Sequence, residues 1–600
     1  MKSLIPFEGD SLIELVNFRA QVQPNDVAYT HLKDRKDEKE NITYAEFQQR
    51  ILTLAAHIQS YNVKGERIIL MYPTGIDYIV AYFAVIFAGA IAVPVYEPRQ
   101  SSHFNRLANI LADAQPKLLL TLESTLAISS KDALDELAQF GATWLTTDNL
   151  PLNNKANEKW QPISLKPDDI TFLQYTSGST GAPKGVMVSN ANLLHNSSLI
   201  HKNTQSSADS CCVTWLPPYH DMGLIGGLLQ PLYAGFHCVI LSPISVIQRP
   251  IKLLKAIHEY KATISGGPNF IFEACVNRIR DKQLAGIDLS SWRIAFNGAE
   301  PINANTLQRF AQRFASHGFN HNAFYPCYGM AETTLFVAGS QANKGAIYKK
   351  VDRTALQQNI AMTSQAHDAQ TLVSSGHLHN DLCIKVVDPL TCLPCKEGEI
   401  GEVWIQGASI AQGYWQRKSV LGTDFSGMLA GDPNQLYLRS GDYAFVDDGQ
   451  LFITGRLKDL IIIRGKNHYP QDIEYSVSHS HIELKPDTGA AFSVPHADEE
   501  VLVIMHELNH RLDFSTQQEI KQTMIESISK NHEMQVFDIV FIRPGTLPKT
   551  TSGKIQRQAA RKQYLLNHAP ANNTFTKTKS TSSSERTETR INSKETNACH

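Results

Sequence analysis

The chain has 600 residues, too many for one hydrophobic core, so several domains are expected. Its composition, 42% hydrophobic and 19% charged, is that of a globular protein, and a formal net charge of −2 argues against a nucleic-acid binder held by phosphate attraction. Nine cysteines without regular spacing point to a reducing cytoplasm, and Cys392-Leu-Pro-Cys395, which lacks a second half-site, reads as a turn before a strand.

Acids and a proline in "MKSLIPFEGDSLIEL" make the N-terminus a poor secretory leader. Next, "TYAEFQQRILTLAAHIQ" predicts an amphipathic helix and "RIILMY" a strand. The apolar run Tyr78 to Tyr96 has the length of a membrane span. Gly89 and Pro94 divide it into a helix and a short strand, so it belongs to a core and no stable membrane insertion is expected. "PIKLLKAIHEYKA" then "TISGG" repeats the helix–strand alternation, which through residue 330 predicts an α/β fold with largely parallel sheets. From Ile400 the texture changes to strands and turns, and Asp448-Gly449 between two alternating runs signals a hairpin. A smaller α/β unit follows "ITGRLKDLIII" and ends in a basic helix. The expected organisation is a large unit at 1–457, a small unit at 458–568 and a Ser/Thr-rich tail at 569–600. That tail is too poor in large apolar groups to offset its ordering entropy, which predicts disorder.

One stretch, "YTSGSTGAPKGVMVS" (Tyr175 to Ser189), concentrates glycines and hydroxyls around a single lysine. It departs from the Walker pattern, because Pro183 stands where the second glycine belongs and Gly185 follows the lysine. Gly178 and Gly181 let backbone N–H groups approach an oxyanion. Thr176, Ser177, Ser179 and Thr180 add rotatable donors, and Lys184 adds a point charge. Alone, the stretch fits either a polyphosphate cradle or a flexible surface turn.

Further stretches follow in order: "LPPYHDMGLIGG" from Leu216, "NGAEP" from Asn297, "YGMAETT" from Tyr328, "SGDYAFVDDGQLFITGRLKD" from Ser440 and "LPKTTSGKIQR" from Leu547. Together with the glycine-rich loop, this series resembles that of adenylate-forming enzymes, the superfamily of acyl-CoA synthetases, luciferases and nonribosomal adenylation domains, over roughly residues 10–565. The resemblance implies an α/β fold with a large multi-subdomain adenylating domain, parallel sheets and a β-rich subdomain, plus a small mobile α/β C-terminal domain. It implies ATP and Mg²⁺ as cofactors. Gly298, Ala299, Glu300, Pro301, Tyr328, Gly329 and Met330 would line the adenine slot. Glu332 would hold Mg²⁺ with its hard oxygens, together with Thr176. Many relatives carry a threonine where this chain has Ala331, so Thr333 or Thr176 is expected to replace that hydroxyl. Asp442 and Arg456 would clamp the ribose, and Lys458 would be the hinge. Lys554 would swing in from the small domain to bridge carboxylate and α-phosphate. The region from Phe541 to His568 carries six Lys/Arg and no acid, which also suits docking of an acidic partner.

Within the superfamily, "YHDMGLIGG", "SGGPNF", "YGMAE" and "RGKNHYPQDIE" resemble the fatty acyl-AMP ligase branch. That implies an acyl tunnel walled by Ile225, Gly226, Gly227, Ser265, Gly266 and Pro268, with His220 at its mouth as a catalytic residue. His220 as a mere turn-capping histidine is the bland alternative. The branch carries an insertion, here Gly345 to Gly376, that braces the small domain and disfavours use of CoA. The resemblance therefore implies activation of a medium- or long-chain fatty acid, then transfer to an acyl carrier protein acting in trans. A fatty acyl-CoA ligase and a non-catalytic nucleotide- or lipid-binding scaffold are the competing readings.

Overall fold

A computed structural model describes residues 6–568 apart from 35–37, 98–100, 129–136, 138, 151–158, 177–182, 368, 418–421, 423, 465, 497–498, 509–511 and 551–552. The expected tail at 569–600 lies outside the described residues.

Two large sheets build the first half of the chain. A six-stranded sheet runs in the order Thr143–Thr146, Leu118–Thr121, Arg67–Met71, Ile91–Val95, Ile170–Thr176, Lys184–Ser189. Its neighbours are parallel except for the last pair, an antiparallel hairpin. An eight-stranded sheet has order Phe336–Gly339, Phe324–Gly329, Ile294–Asn297, Ile264–Gly267, Cys211–Thr214, His237–Leu241, Val27–Leu32, Lys39–Thr43. It is parallel inside and antiparallel at both edges. Helices cover both faces, so inner strands are apolar on both sides. In Arg67–Met71, Ile68 and Leu70 join one core while Ile69 and Met71 join another, the period of two that a pleated strand imposes.

The long apolar run resolves as read. Ile76–Phe87 is a helix and Ile91–Val95 a strand. That helix is buried all round because it contacts strands of both sheets and the helix Tyr44–Gln59. Each of its buried aromatic side chains contributes about 1.5–3 kcal/mol. No helix among the described residues is long and apolar enough to cross a membrane. Tyr44–Gln59 itself starts at a capping box, Thr43 with Glu46, which satisfies backbone donors otherwise left open at the first turn.

From residue 383 the chain becomes antiparallel. Cys383–Val387, Gly401–Gln406, Asp432–Asp447 and Gly427–Leu429 pair in that order, and Gln450–Arg456 returns along Asp432–Asp447. At the hairpin tip Asp448 (φ 48°) and Gly449 (φ 69°) both take positive φ, as a two-residue type I′ turn requires. The Cys392–Cys395 segment is a turn: Cys392 N–H donates to Asp388 O, and all cysteines among the described residues are free. After the short turn Leu457–Asp459 comes a unit with its own core, built on Ile473, Leu502, Ile504, Ile520, Met524 and Ile528. Its three-stranded sheet, Gly489–His496, Glu499–Glu507 and Val536–Ile542, is flanked by helices Pro470–Ser478, Phe514–His532 and Arg557–Asn567.

Candidate active site

The carboxyl ends of the parallel strands, the β-rich unit and the small C-terminal unit together enclose a cavity of about 1990 Å³. Sites at the carboxyl edge of parallel strands are the rule for such sheets. Thr176 and Lys184 stand opposite each other in the hairpin register, and both line the cleft. Ser177, Gly178, Ser179, Thr180 and Gly181 lie outside the described residues. Lys184 Nζ sits 3.1 Å from Asp424 Oδ2 and 4.4 Å from the ring centre of Tyr414. The Tyr414 hydroxyl in turn donates to Glu332 Oε1 at 2.9 Å. Tyr414 is carried there by the strand Lys184–Ser189: Met187 N–H donates to Gly413 O, and Trp415 N–H donates to Gly185 O.

Glu332 lies on the short 3₁₀ turn Ala331–Thr333. Partial burial pushes its carboxyl up, against the pull of the Tyr414 hydroxyl and Arg456. No lysine or arginine among the described residues forms an ion pair with it. A half-buried carboxylate without a direct ion-pair partner among the described residues suits a hard divalent ion that completes its shell with phosphate oxygens and water. Among the described residues no cluster of three acidic, histidine or cysteine side chains offers a site made of protein alone.

Asp442 and Arg456 are register partners across the hairpin that Asp448–Gly449 closes. Arg456 Nε lies 3.2 Å from Asp442 Oδ1, and the Tyr328 hydroxyl donates to Asp442 Oδ2 at 2.7 Å. Each carboxylate oxygen accepts more than one bond, so ribose hydroxyls still find acceptors there. Ala299, also on the cavity wall, holds φ 70°, a conformation that L-residues with a side chain rarely take and that marks backbone held under strain.

Lys554 enters from the small unit. Its backbone closes a tight loop, Thr550 N–H donating to Lys554 O at 2.7 Å and Lys554 N–H to Thr550 Oγ1 at 3.0 Å. The ammonium lies within electrostatic reach of Arg456, Asp221, Glu300 and Asp442. Burial and then Arg456 lower its pKa, opposed by the three carboxylates. Glu300 accepts a hydrogen bond from Phe270 N–H at 2.7 Å. Its partial burial, followed by the charge of Asp487 from the small unit, raises its carboxyl to about 7. A carboxyl raised by folding contributes stability that is complete below its unfolded value and lost as pH rises through the folded one. Glu300 is therefore expected to contribute stability that is lost between roughly pH 4.5 and pH 7, the window set by this shift. Glu300→Gln keeps the acceptor and removes the charge, so thermal melts of the variant should lack that part of the decline.

His220 lines the cavity with Nδ1 2.9 Å from Asp221 Oδ1. It precedes a π-helix, Met222–Leu229, whose widened turn is of the kind found at functional sites. Not every predicted residue faces the cavity. Gly226 and Pro268 lie on its wall; Ile225, Gly227, Ser265 and Gly266 lie behind it. Ile225 is fully buried in the core, and the bare face of Gly227 meets Thr214 Oγ1. Ser265 donates to Val213 O, while a Cβ on Gly266 would fall 2.0 Å from Phe296 O. These glycines and the serine serve strand packing. Gly298 is also off the wall, and the Thr333 hydroxyl is spent on Met330 O at 2.8 Å, so it does not stand in for the hydroxyl missing at Ala331. Gly329 does line the cavity, yet its missing side chain is demanded by Leu335 O, 1.7 Å from where a Cβ would sit. Ala299, Pro301, Met330, Ala331 and Lys458 line the cavity as well.

The segment Gly345 to Gly376 forms an antiparallel pair, Tyr348–Val351 with Gln370–Val373, and a short helix, Arg353–Gln357. It reaches the small unit through Gln370 Nε2 to Asp472 Oδ2 (2.8 Å), Arg353 Nη1 to Asn531 O (3.3 Å) and Asn467 Nδ2 to Asn359 Oδ1 (3.0 Å). Sequence reasoning missed Tyr414, Asp424 and Asp487. Nothing local marks them, because each reaches the cleft through long-range pairing.

The sequence model of the AMP-binding enzyme family matches residues 16–415, and that of the Disco-interacting protein 2-like AMP domain matches residues 458–574. The chain is 38% identical to the medium-chain-fatty-acid–[acyl-carrier-protein] ligase JamA of Moorena producens, over 93% of this chain and 95% of that protein. It is 34% identical to the corresponding ligase TtuA of Teredinibacter turnerae, over 94% and 95%. Its structure is similar to that of the fatty acyl-adenylate ligase of Legionella pneumophila, solved with acyl adenylate and pyrophosphate. The TM-score is 0.72 at 38% identity, covering 93% of this chain and 96% of that one. With a family match over most of its length and relatives covering nearly all of it, this chain belongs to the AMP-binding enzyme family.

Proposed function

We propose that the protein joins a medium- or long-chain fatty acid to the AMP part of ATP and then passes the acyl group to the pantetheine thiol of a carrier protein. In the first step a carboxylate oxygen bonds to the α-phosphorus, and the bond from that phosphorus to the bridging oxygen of pyrophosphate breaks. In the second, the thiol sulfur bonds to the acyl carbon, its proton is lost and AMP leaves. The observation that carries this reading is Lys554, a cation delivered by one unit among Asp221, Glu300, Asp442 and Arg456 of the other.

In this reading Asp442, Arg456 and Tyr328 hold the nucleoside, and Lys184 with Thr176 holds the outer phosphates. Glu332 would hold Mg²⁺, which supplies charge neutralisation between phosphates when bound. Lys554 meets the negative charge that builds at the α-phosphate, and Lys458 is the hinge of the small domain, 458–568, against the large one, 1–457. A cytoplasmic setting supplies the ATP and suits the free thiols. The test is mass analysis of products from ATP, Mg²⁺ and a ladder of fatty acids, with a holo-carrier protein or CoA as acceptor. Acyl-adenylate and acyl-carrier are expected; no acyl-adenylate from any acid would refute the reading.

The CoA-using alternative needs the small unit to rotate away after adenylation, and the contacts from Gly345 to Gly376 oppose that movement. Arg353→Ala with Gln370→Ala removes two of them. The double variant is expected to form more acyl-CoA per acyl-adenylate than the parent, and faster amide exchange in Pro470–Ser478 should accompany it.

A further inference from the structure

The cavity runs on from the cleft into an apolar channel between the helix Met222–Leu229 and the eight-stranded sheet. Met222, Gly226 and Gln230 line it at four-residue spacing, one face of the continuous helical segment that leads inward from His220 and Asp221. The opposite wall is the sheet. Cys212 is in register with Ile264, which is in register with Ile294, and Phe296 with Tyr325.

Two side chains do not suit an alkane. Gln230 is 4% exposed, and neither its Oε1 nor its Nε2 has a hydrogen-bond partner. Tyr325 is 2% exposed, and its hydroxyl is equally unpaired. Buried polar atoms are nearly always paired, because leaving water unpaired is costly, so unsatisfied polar atoms in side chains that line a cavity point to what fills it. An amide offers both a donor and an acceptor, and a phenol offers both as well. An alcohol hydroxyl, which donates and accepts, complements either. An unsubstituted alkyl chain complements neither.

The depth of Gln230 follows from the helix. Eight residues separate Met222 from Gln230, at most about 12 Å at 1.5 Å per residue. Carbon–carbon bonds of about 1.5 Å advance a zigzag chain by roughly 1.3 Å each, so about nine bonds cover that depth. Resting on the fatty-acid reading above, we propose that this channel selects acyl chains bearing a hydroxyl about ten carbons from the carboxylate, with Gln230 at that depth and Tyr325 on the facing sheet as its recognition pair.

The test is a competition assay with the full-length protein, ATP and Mg²⁺, pairing each straight-chain acid of eight to sixteen carbons with its hydroxylated counterparts. The readout is the ratio of kcat/KM for acyl-adenylate formation, hydroxylated over plain. The parent should favour one hydroxyl position by about tenfold. Gln230→Leu should bring that ratio to one or below while raising activity on plain acids, and Tyr325→Phe should lower it without abolishing adenylation. Both substitutions remove an unpaired buried polar group, and thermal melts accompany each measurement to verify folding. A parent ratio near one at every position, or a ratio unchanged in both folded variants, overturns the recognition pair while leaving fatty-acid activation intact. If no acid of either kind yields acyl-adenylate, the activity itself falls and this inference with it.

Discussion

Lys554→Ala should lower acyl-adenylate formation by about 10²–10³-fold, the loss that follows removal of one donor aimed at transition-state charge. The ammonium is brought by the small unit into a pocket where Asp221, Glu300 and Asp442 face it and Arg456 repels it. Partial burial and the arginine weaken its hold on the proton, whereas three carboxylates restore it. Burial, the largest of these effects, leaves the ammonium poorly hydrated, and a phosphate arriving in the cleft supplies the solvation it lacks. Because the proposed function has Lys184, Asp442 and Tyr328 hold the nucleotide by other contacts, ATP affinity should stay within a few-fold of the parent. Single-turnover formation of acyl-adenylate, measured beside ATP binding by calorimetry, separates the two. Normal single-turnover rates would remove Lys554 from the reaction.

Asp442→Ala should act on binding and rate together. The carboxylate holds Tyr328 and Arg456 at once, 2.7 Å and 3.2 Å away, and its side chain is nearly inaccessible. The charge-assisted bonds it would accept from two ribose hydroxyls are each worth about 1.5–3 kcal/mol, so losing both corresponds to at least about 10²-fold in kcat/KM for ATP. The guanidinium would also lose its tether and the tyrosine its acceptor. Asp442→Asn separates charge from shape: it keeps an acceptor for Tyr328 and should recover part of the loss. Equal activity of parent and alanine variant, by pyrophosphate release at limiting ATP, would exclude the clamp.

Local patterns carried much of this molecule. The Asp448-Gly449 turn was legible because few dipeptides tolerate two consecutive positive φ values. The helix–strand break inside Tyr78 to Tyr96 was legible because Gly89 and Pro94 interrupt a helix that would otherwise continue. Less legible was sheet order, in which Cys211–Thr214 and His237–Leu241 insert between Ile264–Gly267 and Val27–Leu32. Such pairings depend on crossovers that no short window encodes. The same limit hid Tyr414 and Asp424, which approach Lys184 across more than two hundred residues. Glycines misled for a different reason. A glycine leaves room, but only the fold reveals which neighbour uses it. At positions 266 and 329 the occupant is the protein's own carbonyl oxygen, from Phe296 and Leu335 respectively.

Arg557, three residues beyond Lys554, binds Glu474 Oε2 at 2.7 Å and Asp459 Oδ2 at 3.1 Å, while Gln558 Nε2 donates to Lys458 O at 2.8 Å. The start of the last helix is thus bolted to the turn Leu457–Asp459 on which the small unit is mounted. If the small unit turns there as proposed, this joint carries the turn to the lysine tip as along a crank. Loosening the Arg557 joint would then let the arm flex, so the tip would arrive out of phase with the pivot even though every group proposed to touch the nucleotide stayed in place.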